Sequence, residues 1–305
     1  MSTKYEHTTF LATQTEPLTP GSDEWARTVS ASKVPAILGI SKWDSAYSLW
    51  ARATGRLENE EGNKATERGT YLEPAIRQWL ADQLPGNRVT EGATFVHPDN
   101  PAHIATPDAL IYEGRRRTPW ALGEVKTAYN GDEWGKAGTC DVPADYMAQV
   151  AWQMWITGAR TVYVAALVNM EFRLYVIHWE DVAADMDDIL AMVAVWEHHV
   201  AKDIAPDWDG SDATLAAVRR MHPDIDPEAE AVIPEWWALE LWAAIDAEKT
   251  AVAETKRCKS RILGSAGNAR AIVTEDGRKA GTRSAKNGGT PYLTPAKYTP
   301  ATIAA

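Results

Sequence analysis

The chain has 305 residues, of which 45% are hydrophobic and 24% charged. This composition excludes a wholly disordered protein and allows one large domain or two smaller ones. The net charge of −11 argues against general attraction to polyanions, although residues 255–305 hold ten Lys or Arg against two acids. Two cysteines exclude a disulfide framework, a Cys₄ zinc site and a four-cysteine iron–sulfur cluster. No signal peptide or membrane-length apolar run is evident, so we expect a cytoplasmic protein.

The N-terminal part of the chain is predicted to contain a leader and two helices. Residues 1–21 lack periodicity, and we expect a flexible leader there. Capping residues predict one helix that begins near Ser30 or Ser32 and ends at Gly39, and a second over residues 44–54.

Residues 65–84 predict a third helix, because apolar side chains such as Ile76 and Leu80 recur every three or four positions. Glu73 lies beside this apolar stripe. Strands and helices then alternate, so we expect an α/β fold with a mixed central sheet flanked by helices. The predicted segments are strands over 88–97, 103–112 and 119–128, a helix over 142–157, strands over 160–168 and 171–179, and a helix over 181–203.

A second unit is predicted to follow this core. We expect the core over residues 22–205 and a helical and hairpin extension with a basic tail over residues 206–305. The extension contains a long helical pattern over 234–263. Asp276 and Gly277 then form a dipeptide typical of hairpin turns.

The strands predicted over 103–112 and 119–128 carry the residues that are best suited to catalysis or metal binding. If they pair across their connecting turn, Asp108 lies opposite Glu124, and such cross-strand partners have Cβ atoms about 4.5–5.5 Å apart. Because side chains alternate along a strand, Glu124 and Lys126 share one face. The hairpin is therefore predicted to present two acids and a lysine together.

Two carboxylates about 5 Å apart repel by roughly 3 kcal/mol at an effective dielectric of 20, so the pair favours uptake of a proton or a divalent cation. Oxygen ligands without thiolates favour Mg²⁺ or Mn²⁺ over zinc. With a lysine beside the cation, such a site is suited to phosphodiester hydrolysis. A turn aspartate and a solvated strand face remain the alternative interpretation of the spacing alone.

Four short motifs in this chain resemble those of one nuclease family. Thr106-Pro107-Asp108 followed by Glu124-Val125-Lys126 resembles the PD-(D/E)xK nuclease signature. The other motifs are Ser30 to Lys33 with Ala36 to Ser41, Gly69 to Pro74, and Tyr146 to Val150 with Met154 and Trp155. Their order resembles that of the YqaJ-like viral recombinase family, which includes phage lambda exonuclease, and they lie within residues 25–180.

The resemblance implies a PD-(D/E)xK restriction-endonuclease-like core and a set of site residues. The implied ligands of Mg²⁺ or Mn²⁺ are Asp108, Glu124 and the carbonyl of Val125, with Glu73 in support. Lys126 would position the attacking water, and Gln149 would line the site as a further catalytic residue.

The resemblance also implies a substrate and partners. Family members digest linear double-stranded DNA from the 5′ end, during phage or prophage recombination in a bacterial host, and leave a single strand for an annealing protein. Ser32 and Arg27 are the implied 5′-phosphate contacts. Tyr146 and Gln153 share a helical face with Gln149 and are the implied DNA contacts. A homo-oligomer, such as a ring, is expected, and no membrane partner.

Two other functions remain open from the sequence. One is a different PD-(D/E)xK enzyme, such as an endonuclease or a repair nuclease. The other is a non-catalytic scaffold that binds DNA ends, against which the presence of Glu73, Asp108, Glu124 and Lys126 counts.

Overall fold

The computed structural model describes residues 12–296 except for 17, 20 and 59–63, so most of the expected leader lies outside the described residues. The chain divides into two compact units, the first ending at Ile225 and the second beginning at Asp226. The predicted boundary was residue 205. The structure places the boundary later, because the helix over Asp212–Met221 packs into the first unit, where Ala217 joins Tyr47 and Trp50 in a small apolar cluster.

The first unit contains nine strands and eight α-helices among its described residues. The strands are β1 (Thr13–Thr15), β2 (Val29–Ser30), β3 (Asn87–Glu91), β4 (Thr94–His97), β5 (Asn100–Ala105), β6 (Ala109–Glu113), β7 (Ala121–Ala128), β8 (Thr161–Val168) and β9 (Glu171–His178). The helices are α1 (Asp23–Arg27), α2 (Val34–Ile37), α3 (Ala46–Ala53), α4 (Lys64–Gln83), α5 (Ala144–Thr157), α6 (Trp179–Val182), α7 (Met186–Lys202) and α8 (Asp212–Met221).

A five-stranded mixed sheet in the order β3-β6-β7-β8-β9 forms the centre of the unit. β7 and β8 are parallel, and the other neighbours are antiparallel. α4 packs on one face, where Ile76 and Leu80 meet the small residues Ala109 and Gly123. α5 packs on the other face and contributes Trp152 to the main core. The predicted α/β fold with a mixed sheet between helices is confirmed.

A second, four-stranded sheet in the order β1-β4-β5-β2 corrects two predicted strands. The strand predicted over 88–97 is two strands, β3 and β4, which belong to different sheets. The strand predicted over 103–112 is likewise divided between β5 and β6. Each break lies where the chain leaves one sheet for the other. β1 also pairs with β4, so residues 13–15 of the expected leader are part of the fold.

Most predicted helices of the first unit are observed, with two corrections. Ser30 does not begin the first helix, because it pairs with Ile104 in the β2–β5 ladder and α2 starts only at Val34. The helix predicted over 181–203 is three pieces: α6, a 3₁₀ turn over Ala183–Asp185, and α7. No described helix is long and apolar enough to cross a membrane.

The second unit contains α9 (Glu235–Ala266) and a three-stranded antiparallel sheet of β10 (Ala271–Val273), β11 (Lys279–Ser284) and β12 (Tyr292–Pro295). The long helix and the hairpin are observed as predicted, and Gly277 adopts the positive φ of 82° that the turn requires. β12 adds a third strand to the predicted hairpin.

Substitution of Gly123 tests how closely α4 must approach the central sheet. A Cβ at this position would lie 2.8 Å from Leu80 Cδ2 and 2.9 Å from the Ala109 Cβ, so we expect Gly123→Ala to cost about 1–3 kcal/mol of stability. Gly69 in α4 is the matched control, because nothing lies within 4 Å of its added Cβ, and Gly69→Ala should gain about 0.5–1 kcal/mol. Urea unfolding of both variants measures the difference. Equal stabilisation by both substitutions would contradict the packing argument.

Candidate active site

Asp108 lies at the break between β5 and β6, directly opposite the middle of β7. The β6–β7 register pairs Ala109 with Gly123 and Leu110 with Leu122, which is the register predicted from the sequence. Asp108 lies just beyond the paired residues, and its Oδ2 accepts a hydrogen bond of 2.7 Å from the Val125 amide. The predicted hairpin thus places Asp108 beside the residues of the ExK motif.

Gly92 holds this break in place from the other side. Its amide donates a hydrogen bond of 3.0 Å to the Asp108 carbonyl. A Cβ on Gly92 would lie 1.7 Å from the Pro107 carbonyl oxygen, so no other residue fits without moving the backbone that carries Asp108. Gly92 was not among the site residues predicted from the sequence. The available signal was a glycine inside a strand pattern, which often marks close backbone approach.

Glu124 is almost fully buried, with 1% of its surface exposed, and three side chains donate to its carboxylate. Lys126 Nζ donates to Oε1 at 2.5 Å, and Gln149 Nε2 donates to the same oxygen at 2.6 Å. Gln153 Nε2 donates to Oε2 at 2.7 Å. Lys126 also donates to Gln149 Oε1 at 3.0 Å, so the acid, the lysine and α5 form one hydrogen-bonded network.

The three α5 residues predicted to share one face do so, but that face points at the acids. Tyr146 is half-buried, and its ring centroid lies 5.0 Å from Lys126 Nζ. Gln153 is 0% exposed, which contradicts its expected contact with DNA. Because successive α-helical turns bring residues four apart onto one face, Gln153 follows Gln149 onto Glu124 instead of reaching the surface.

Glu73 approaches the site from α4 but is engaged by an arginine. Glu73 Oε1 lies 2.7 Å from Arg77 Nη1, and the same nitrogen donates to the Asp108 carbonyl at 3.3 Å. Arg77 therefore links α4 to the strand break. Arg77 was not among the predicted site residues, although a glutamate and an arginine four residues apart on a helix commonly pair.

Asp108 and Glu124 both have little contact with solvent, and this determines the electrostatics of the pocket. Burial, together with the nearby charge of Glu124, raises the pKa of Asp108 to about 8. Burial alone would lower the pKa of Lys126, but the charges of Glu124 and Asp108 outweigh it, and that pKa lies above its usual value. Lys126 is therefore an ammonium ion at neutral pH. The two acids retain an excess of negative charge that a proton or a cation relieves.

The donor set suits a hard divalent cation. Asp108 and Glu124 are brought together, and their carboxylate oxygens are the ligand type that Mg²⁺ and Mn²⁺ prefer. Among the described residues, no group of three or more His, Cys, Asp or Glu side chains could hold a metal ion. Glu73 remains a predicted ligand, and its carboxylate is paired with Arg77 in this structure. The Val125 carbonyl remains an expected ligand.

The N-terminal motif presents Ser32 outward and Lys33 inward. Ser32 is exposed, and its Oγ lies 3.0 Å from Ser30 Oγ. Lys33 Nζ is buried and donates to the carbonyls of residues 25, 26 and 28, and burial lowers its pKa to about 7. Arg27 is exposed in the last turn of α1. Ser32 and Arg27 remain predicted phosphate contacts.

A comparison with protein families identifies the part of the chain that carries this site. Residues 24–160 match the model of the YqaJ-like viral recombinase domain. The chain is therefore similar to this family over the residues that carry the site. The matched residues include Asp108, Glu124, Lys126 and both glutamines of α5.

Three individual proteins are similar to parts of this chain. An uncharacterized protein, YqaJ of Bacillus subtilis strain 168, is 25% identical over 218 residues, which cover 67% of this chain and 64% of that protein. An alkaline exonuclease (LHK-Exo) from Laribacter hongkongensis is 26% identical, over 60% of this chain and 94% of its own, with a TM-score of 0.44. A phage-related exonuclease from Haemophilus somnus 129PT is 11% identical, over 58% and 96%, with a TM-score of 0.39.

The raised pKa of Asp108 predicts a pH-dependent loss of stability in the metal-free protein. Folded protein holds a proton on Asp108 up to pH about 8, whereas an unfolded aspartate releases it near pH ~4. The stability from this group is therefore complete below pH ~4 and is lost as pH rises through about 8.

Asp108→Asn should remove the pH-dependent contribution of Asp108 to stability. Between pH ~4 and about 8, the free energy of unfolding of this variant should therefore fall less than that of the unmodified chain. Denaturant unfolding in a chelating buffer at several pH values measures the difference. Asp99→Asn, at an exposed turn position, is the control. Parallel curves for Asp108→Asn and the unmodified chain would contradict the predicted linkage.

Proposed function

We propose that this chain is a Mg²⁺- or Mn²⁺-dependent exonuclease that degrades linear double-stranded DNA from the 5′ end, leaving single strands for recombination of the phage or prophage type. The observation that carries the proposal is the convergence of Asp108 and Glu124 beside a protonated Lys126. The match of residues 24–160 to a viral recombinase domain supports DNA as the substrate. A cytoplasmic location in the bacterial host follows from the same proposal.

Each side chain of the site would have its own role in phosphodiester hydrolysis. Asp108 and Glu124 would hold the cation, which when bound neutralises phosphate charge and acidifies a water molecule. The Lys126 ammonium, kept charged by both acids, orients the nucleophile and stabilises negative charge that develops at the reacting phosphate. Gln149 accepts from Lys126 and donates to Glu124, which fixes the lysine relative to the acid.

Contacts with the DNA end and with other proteins extend the proposal. Ser32 and Arg27 would meet the 5′ phosphate, since both are exposed, and Tyr146 would contact the DNA beside Lys126. An annealing protein that receives the single strand, and a homo-oligomeric ring, follow from the family resemblance alone.

Digestion of matched DNA substrates tests the activity. With Mg²⁺ or Mn²⁺, we expect linear duplex DNA to be lost, closed circular duplex to remain intact, and a 5′ phosphate to accelerate digestion. A chelator should stop the reaction. Nicking of the circle would indicate an endonuclease, and DNA binding without digestion would indicate a scaffold.

Lys126→Ala should reduce the rate of digestion by about 10²–10³-fold, because it removes the only cation bonded to Glu124 among the described residues. DNA binding should largely persist, since the phosphate contacts lie elsewhere. Single-turnover digestion and electrophoretic mobility shift measure the two effects separately. Lys249→Ala, on the exposed surface of α9, is the matched control. Full activity of Lys126→Ala would refute the assigned role.

A further inference from the structure

The side-chain amide of Gln153 lies at a position where it lowers the stability of the fold. The side chain is 0% exposed, and its Oε1 has no hydrogen-bond partner among the described residues. An unsatisfied buried polar atom costs about 1–3 kcal/mol. A methionine has nearly the same length and shape and would avoid this cost. Among the described residues, the polar contact of the Gln153 side chain that offsets this cost is the 2.7 Å hydrogen bond from Nε2 to Glu124 Oε2.

That hydrogen bond completes the support of the Glu124 carboxylate. Lys126 and Gln149 both donate to Oε1, and Gln153 donates to Oε2. A carboxylate has about four lone-pair directions, so three donors leave one direction, on Oε2. The torsion that rotates a carboxylate is soft, and donors on one oxygen alone do not restrict it well. A donor on each oxygen fixes the plane of the group and the direction of the remaining lone pair.

We infer that Gln153 is a positioning residue for the cation site, holding Glu124 Oε2 so that its remaining lone pair is aimed before the cation arrives. The inference rests on the proposed function, because it assigns Glu124 as a ligand. Gln153 itself does not touch substrate or cation. Its donor hydrogen bond increases affinity for the cation, and its unsatisfied oxygen decreases the stability of the fold.

Gln153→Met separates these two effects. Partners that orient a ligand typically contribute 10–100-fold in metal affinity, so we expect Mn²⁺ to bind 10–100-fold more weakly. Calorimetric titration of the DNA-free chain with Mn²⁺ measures this affinity. The KM for Mn²⁺ in DNA digestion should rise by the same factor, while kcat at saturating Mn²⁺ is largely retained. The thermal midpoint of the metal-free variant should change little, because loss of the donor to Glu124 Oε2 is offset by removal of the unsatisfied Gln153 Oε1.

Gln78→Met provides the matched control, since Gln78 lies on α4 and bonds only Asp82 at the exposed surface in the described structure. It should leave Mn²⁺ affinity unchanged. If Gln153→Met does not fold, Gln153→Asn keeps the amide but withdraws it by one methylene, and the same loss of affinity is expected.

Unchanged Mn²⁺ affinity in a folded Gln153 variant would overturn the inference. A loss of affinity accompanied by a large fall in the metal-free thermal midpoint would also overturn it, because the role would then be structural. If the unmodified chain neither binds Mn²⁺ nor digests DNA, the proposed function fails first, and the inference fails with it. Unmodified activity together with an unaffected Gln153 variant isolates failure of the inference alone.

Discussion

The structure of the site depends on one electrostatic constraint, the burial of Glu124 next to Asp108. Removing a carboxylate from water costs several kcal/mol unless donors or opposite charges replace the lost hydration. Here an ammonium and two amides replace it at Glu124, and a backbone amide does so at Asp108. Burial and the remaining negative charge together explain the raised pKa of Asp108, and the same charge favours the binding of a cation that we propose.

This constraint places strict demands on the backbone. Asp108 reaches the Val125 amide only because the chain breaks between β5 and β6 and changes sheet there. The break is held by Gly92, whose lack of a side chain lets two backbone segments meet. Arg77 adds a third support by bonding the Asp108 carbonyl from α4. The break between β5 and β6 is therefore the feature that brings the two acids together.

α5 serves the core and the site at once, which couples stability to chemistry. Trp152 is fully buried and donates from Nε1 to the Ile104 carbonyl at 3.1 Å, which ties α5 to the second sheet. The neighbouring Gln153 and the preceding Gln149 face Glu124. Substitutions in the core face of this helix therefore move the donors of the acid, so activity and stability are linked through one element.

The sequence by itself determined the main helices, the buried strand over 160–168 and the hairpin register that sets Asp108 level with Glu124. These features depend on local periodicity, capping and turn chemistry, which neighbouring residues encode. The motif spacing likewise predicts the two acids and Lys126 as site residues.

Only the tertiary structure decided the division of two predicted strands between sheets, the pairing of Glu73 with Arg77, and the burial of Gln153. Each depends on residues distant in sequence, as when Gly92 meets Pro107 or when α5 packs against β7. Alternation within one segment cannot reveal which sheet its two halves join, because both halves have the same local pattern. The direction of a polar side chain is likewise set by the neighbour it meets, which for Gln153 is a buried carboxylate and not solvent.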